Sequence, residues 1–476
     1  MRRFLPILAL LLALAACQAP PMPPTTAMPT PYASVLIEGV PHLEQKPDFC
    51  GEACAAMALQ ALGKKVDQDF VFDQSGVDPL EGRGAWTREL KVALEALGFE
   101  VGPVWNEVEA DRADEGLDAQ FAALHADLVA GIPSIICTHY DDRPNTTEHF
   151  RLILGYDAAA DEVLYHEPAE ADGAYLRMAR ARFLKLWPLQ AGGDTLSVIR
   201  FRLKPGKLAA TRVDAALTPA DYAQHVLALK EKMPEGFTMV YEPPFLVVGD
   251  DDPATVRKRS AGTVRWATRL LKQDYFGRDP DKITDIWLFA DEASYTHHTR
   301  ELFGEAPDTP YGFYSPYQNA LVMNISTGGG TLVHEMVHPF IHANFPECPS
   351  WFNEGLASLY EQCGEEDGHI HGYTNWRLAG LQKLIKAGRL PSFKELLSTS
   401  EEQFYDGDRG DNYAQARYLC YYLQQKGLLI DFYRAFVANQ RTDPSGYDTL
   451  VKLLGDPDME VFQKEWEAWA LTLRFP

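Results

Sequence analysis

Two histidines and two glutamates lie close together in the second half of this chain, in a spacing that suits a metal ion. Residues 331–338 read Thr-Leu-Val-His-Glu-Met-Val-His. The apolar residues Leu332, Val333, Met336 and Val337 predict a helix here, and Gly328-Gly329-Gly330 form the loop that leads into it. Positions i and i+4 of a helix face the same way, so the imidazoles of His334 and His338 can reach one metal. Glu335 stands beside them, placed to take a proton from a water molecule. After fifteen intervening residues comes another carboxylate, Glu354, within Pro349-Ser-Trp-Phe-Asn-Glu-Gly-Leu-Ala357, where a second helical stretch begins. His342 continues the series but lies about 12 Å along the axis from His334, too far to share a metal with both histidines. His369 and His371 are the fallback ligands.

His-Glu-x-x-His followed by Trp-Phe-Asn-Glu-Gly-Leu-Ala resembles the gluzincin metallopeptidases. The resemblance implies Zn2+ as cofactor, Glu354 as third zinc ligand and Glu335 as general base. It extends to Tyr311-Gly-Phe-Tyr and Asn319-Ala-Leu-Val-Met-Asn324, similar to the hairpin whose edge strand pairs with substrate backbone in that family. Asn412-Tyr-Ala-Gln-Ala-Arg-Tyr-Leu419 is similar to the later helix that supplies a transition-state tyrosine, which implies that role for Tyr413. The likeness covers roughly residues 235–470. Its ligand spacing is a few residues shorter than in the best-known members, which bears on substrate specificity more than on metal binding.

A second constellation lies in the first half. Gln45-Lys-Pro-Asp-Phe-Cys50-Gly51 sets a cysteine where an apolar helix begins, and a helix N-terminus lowers a thiol pKa. Far downstream, His149 heads the strand-like run Phe150 to Tyr156, and His166-Glu167-Pro168 follows the next short strand. Gln then Cys-Gly, then His on a strand, then an acid before Pro resembles the peptidase C39-like family of papain-type folds. Gly39-Val-Pro-His-Leu-Glu-Gln45 and Gly131-Ile-Pro-Ser-Ile-Ile fit it too. That likeness implies Cys50 as nucleophile, His149 as base and Gln45 as oxyanion donor. Glu167 stands where the family usually has Asp, so its longer arm bears on how His149 is oriented. Some bacterial domains of this type serve mainly in binding.

These residues need two bodies to position them. Helical spacing covers Gly51 to Leu62 and Trp86 to Leu97; strands are predicted at Ile132 to Cys137, Glu162 to Tyr165 and Leu196 to Leu203. Pro205-Gly206 breaks the pattern, and a helix follows at Pro219 to Lys232. Strands are predicted at Phe237 to Val248, Asp285 to Ala290 and Ala320 to Asn324, and the chain is mostly helical from there to the C-terminus. The fold class is α+β: an N-terminal papain-like C39-type domain (35–204), a linker (205–220), and a mostly helical gluzincin-like domain with a small N-terminal sheet (221–476).

Arg2 and Arg3, the apolar run Phe4 to Leu14, and Leu14-Ala-Ala-Cys17 resemble the signal peptide and lipobox of bacterial lipoproteins. The resemblance implies cleavage after residue 16 and acylation of Cys17, with Gln18 favouring the outer membrane. Residues 17–34, rich in Pro and Thr, read as a tether, and acyl chains as the only membrane anchor. With 67 acidic against 44 basic residues and a net charge of -23, the chain is a poor fit for nucleic acid. Of seven cysteines none has zinc-finger spacing; Cys348 and Cys363 bracket Glu354 and could pair as a disulfide, while Cys54 and Cys137 read as core fillers. The expected function is a lipid-anchored, extracytoplasmic peptidase acting on polypeptides, of open oligomeric state. Two alternatives stay open: the zinc domain alone is catalytic while the C39-like domain binds substrate, or the chain is a non-enzymatic binding lipoprotein.

Overall fold

The computed structural model describes residues 31–144, 146–208, 217–304, 306–405 and 410–475. The signal-peptide and lipobox expectations, with Arg2, Arg3, Cys17 and Gln18, lie outside the described residues. The chain divides into two compact units, Met1–His42 with Gly102–Lys204, and Leu43–Val101 with Pro205–Pro476. No helix among the described residues is long and apolar enough to cross a membrane.

The first unit is built on an antiparallel sheet. Its strands run in the order Trp105–Glu109, Thr195–Arg202, Ser134–His139, Glu148–Asp157, Glu162–His166 and Leu176–Ala179, and two short strands attach at Val35–Leu36 and Leu189–Gly192. Helix Ala113–Val129 lays Leu117, Phe121, Leu124 and Leu128, a stripe at helical spacing, on Ile136, Ile153, Tyr156 and Val198. Full burial of each such side chain contributes roughly 1.5–3 kcal/mol. Gly116 permits the fit, since a Cβ there would come within 2.4 Å of Val108 Cγ1 on the neighbouring strand. The sequence reading has neither this helix nor strand Trp105–Glu109, because alanines and acidic residues dilute their periodicity.

The second unit holds a five-stranded sheet, ordered Thr238–Glu242, Phe245–Gly249, Thr284–Phe289, Ala320–Asn324 and Gly312–Ser315. The three inner strands are parallel and covered on both faces, which is why they read as unbroken apolar runs. Helix Gly330–Asn344 presents Leu332, Met336, Val337 and Phe340 to the core that holds Ile286, Leu288, Leu321 and Met323. Val226 of helix Pro219–Lys230 and Tyr295 of helix Glu292–Phe303 pack with Trp287, Phe289 and Val322. Helices Ser350–Leu359, Asp411–Gln425, Leu429–Asn439 and Met459–Thr472 complete the body around Trp351, Phe352, Phe432, Phe436 and Trp466.

Helices Cys50–Ala61, Gln68–Asp73 and Thr87–Ala96 also belong to this unit. Ala220 N–H donates to Asp73, Gln224 to the Pro47 carbonyl and Lys230 to the Glu81 carbonyl. One expectation is corrected. The single strand at Phe237 to Val248 is a hairpin, because Pro243 and Pro244 offer no N–H to a ladder. The chain after Asn324 is mostly helical, and within it Cys363–Glu366 and His369–Gly372 pair across Asp367 and Gly368, both at positive φ, as an Asp-Gly hairpin turn requires.

Candidate functional sites

His334 and His338 lie one turn apart on helix Gly330–Asn344, and Glu354 lies within the first turns of helix Ser350–Leu359. The ligand atoms of the three all lie within 4.8 Å of one another. His334 Nε2 is 3.3 Å from Glu354 Oε2, and His338 Nε2 is 4.0 Å from Glu354 Oε1. His338 is oriented from behind, its Nδ1 meeting Asn353 Oδ1 at 2.9 Å; His334 Nδ1 lies 3.6 Å from Glu361 Oε1, beyond hydrogen-bond reach, and is buried without a hydrogen-bond partner. Gly330 brings the His-bearing helix against Glu361, whose carbonyl a Cβ would meet at 2.0 Å. Arg377 clamps the Glu361 carboxylate with bonds of 2.6 and 2.9 Å.

The residues present fit a divalent cation. Glu354 Oε2 is buried without a hydrogen-bond partner, an orphan that a cation would satisfy. An edge of about 3.3 Å is also what two ligands on a tetrahedral zinc present. Burial opposes a charge on His334, yet contact with Glu354 and the charges of Glu335, Glu354 and Glu361 outweigh it and lift its pKa to about 9. Burial likewise opposes a charge on Glu354, but His334 and His338 hold its pKa down at about 2. The cluster is thus arranged to hold positive charge.

His334 and Glu335 line a cleft of about 830 Å³, whose walls include Tyr311, Gly312, Arg377 and Tyr413. Gly312 begins the edge strand Gly312–Ser315, which pairs on one side with Ala320–Asn324. Tyr413, on helix Asp411–Gln425, has Arg377 over its ring at 5.0 Å. Burial and the neighbouring Glu354 charge both push the Tyr413 phenol up, so it stays protonated and able to donate.

The cysteine-type residues are divided between the units, His149 and Glu167 in the first, Gln45 and Cys50 in the second. In the first unit, His149 sits near the head of strand Glu148–Asp157 and its Nε2 contacts Glu167 Oε1, both groups buried. The longer Glu arm therefore does reach the imidazole. Arg151 Nε donates to Glu167 Oε2 at 2.7 Å, and its other nitrogens bond Thr138 and the Tyr140 carbonyl. Burial raises the Glu167 pKa, but His149 and Arg151 more than offset this and keep it below the usual carboxylate value. In the second unit, half-buried Cys50 opens helix Cys50–Ala61. Gln68 fixes the loop beside Gln45 by accepting from Lys46 N–H at 2.7 Å and donating to the Glu44 carbonyl at 3.1 Å.

Residues 37–193 match the peptidase C39 like family. This C39-like domain spans about a third of the chain and contains Gln45, Cys50, His149 and Glu167. Among solved structures the chain is similar to the peptidase domain of Streptococcus ComA, described as a bi-functional ABC transporter involved in a quorum sensing pathway. Identity is 15%, over 34% of this chain and 96% of that one, with a TM-score of 0.23. No curated protein matches the chain.

Outside the C39-like domain, the sequence reading missed residues around the histidine cluster. Tyr405 donates to Glu354 Oε1 at 2.8 Å, and Glu361, Asn353 and Arg377 form the supporting shell. Within the domain it missed Arg151, though an arginine two residues after His149 on one strand shares its face. The fallback ligands are engaged elsewhere: His369 pairs with Asp274 at 2.6 Å, and His371 Nε2 meets Gln424. Cys348 and Cys363 form no disulfide. Cys363 lines the cleft at the start of a strand, whereas Cys348 has Cys420 as its thiol neighbour.

Proposed function

We propose that the chain is a zinc peptidase whose histidine cluster hydrolyses peptide bonds in polypeptides outside the cytoplasm. The observation that carries this is the convergence of His334, His338 and Glu354 beside an orphaned buried carboxylate oxygen, with Glu335 on the same cleft. Zinc held by His334, His338 and Glu354 would supply Lewis acidity, lowering a water's pKa and polarising a carbonyl. An extended substrate adds to the open side of strand Gly312–Ser315 through backbone hydrogen bonds. Glu335 takes the proton of the attacking water and passes it to the leaving amine. Tyr413 donates to the oxyanion that develops on the carbonyl. The lipobox resemblance supports acylation at Cys17 and anchoring in the bacterial envelope, at the outer membrane.

The test is zinc content per chain on a soluble fragment beginning after Cys17, for wild type and Glu354→Ala together. About one tightly held zinc in wild type, lost in the variant, supports the ligand set. A metal-free wild type removes the reading.

A second reading is that the C39-like domain is a cysteine peptidase, with Cys50 as thiolate and the His149–Glu167 pair as base. The His149–Glu167 contact and the family match favour it. Iodoacetamide should then alkylate Cys50 faster than free cysteine at neutral pH. A rate equal to that of free cysteine leaves the domain as a substrate-binding module.

A further inference from the structure

Among the described residues, side chains of metal-ligand type converge in two groups of three or more: the cluster above, and His297, His298 and Glu301. The second group lies on helix Glu292–Phe303, on the other face of the five-stranded sheet from the His-bearing helix. We propose that His297, His298 and Glu301 form a separate site for a divalent transition-metal ion.

Helix geometry brings the three together. Glu301 follows His298 by three residues and His297 by four, so its carboxylate reaches back to both rings. One oxygen, Glu301 Oε2, lies 3.3 Å from His297 Nε2 and 3.8 Å from His298 Nδ1. The longer contact is no hydrogen bond, and His298 Nδ1 is buried with no hydrogen-bond partner. A buried ring nitrogen left unsatisfied by the protein, 3.8 Å from a carboxylate oxygen, has the placement of a metal ligand.

The site is also prepared in advance. Phe289 stacks on the His298 ring at 5.6 Å between centroids, and Phe237 meets it edge-on at 5.0 Å. The ring therefore loses little freedom on binding an ion. His297 and Glu301 are exposed, so water can complete the coordination. Two imidazoles and one carboxylate select zinc, copper or nickel over calcium or magnesium, which prefer all-oxygen shells. Without an ion, the exposed His297–Glu301 pair contributes little to stability.

Zinc stoichiometry after equilibrium dialysis at low micromolar free zinc tests this on the soluble chain. A His334→Ala/His338→Ala variant, which lacks the first cluster, should retain about one zinc. Adding His297→Ala and Glu301→Ala, both solvent-exposed, should abolish that binding without lowering the melting temperature measured in EDTA. Retention of zinc by the fourfold variant, or its absence from the twofold one, overturns the proposal. The result is independent of the peptidase reading. Were the first cluster unable to hold metal, wild type would still bind one ion, lost with His297→Ala and Glu301→Ala alone.

Discussion

The Tyr405 hydroxyl donates a 2.8 Å hydrogen bond to Glu354 Oε1, while Oε2 of the same carboxylate faces His334. One oxygen is tied to the protein and the other is left toward the metal position. The tie comes from the five-residue helix Glu401–Tyr405, remote in sequence from both ligand helices. Tyr405→Phe removes a hydrogen bond to a charged acceptor, a contribution of about 1.5–3 kcal/mol. Zinc affinity, read by competition with a chromogenic chelator, should fall roughly 10- to 100-fold. An unchanged affinity would mean that packing alone orients Glu354.

Glu335 lines the cleft, next in sequence to one ligand and three residues before the other, and is not itself part of the convergent set. Glu335→Gln keeps its shape and removes its ability to accept a proton. Turnover of a cleavable peptide should vanish while zinc content stays at the wild-type value. Residual activity near wild type would exclude Glu335 as the base.

Tyr413 shares the cleft wall and carries a phenol that burial and Glu354 keep protonated. Losing an oxyanion donor costs about 3 kcal/mol, or on the order of 100-fold in kcat. Tyr413→Phe should show that loss with KM nearly unchanged, because the bond forms only as charge develops. A rise in KM at constant kcat would reassign Tyr413 to ground-state binding.

Glu52, two residues beyond Cys50, is fully buried and accepts from the Ala85 N–H at 2.6 Å. Burial lifts its carboxyl from 4.5 to about 8, against that hydrogen bond. A carboxyl whose pKa is higher in the fold holds its proton more tightly there. The stability it contributes is complete below the ordinary value and is lost as pH rises through about 8. Glu52→Gln keeps an oxygen for Ala85 and cannot ionise. Between about pH 5 and pH 9 the melting temperature should fall less in the variant than in wild type. Parallel profiles would place the alkaline loss elsewhere.

Local chemistry made part of this protein legible in its sequence. His334 and His338 share a face because a helix returns every 3.6 residues, and Leu332, Val333, Met336 and Val337 announce that helix. The inner strands stand out because parallel strands buried on both faces must be apolar throughout. The C39-like domain was readable from Cys50-Gly51, His149 and Glu167, whose order along the chain survives folding. The Asp367-Gly368 turn and the i, i+1, i+4 set of His297, His298 and Glu301 are equally local. What only the tertiary structure decided is the shell around each pair. Tyr405 reaches Glu354 across 51 residues, Arg377 reaches Glu361 across 16, and Cys348 lies by Cys420 instead of bonding Cys363. No periodicity encodes such meetings. They follow from how helices from distant parts of the chain pack on one core, where a buried carboxylate takes whatever donor the packing delivers.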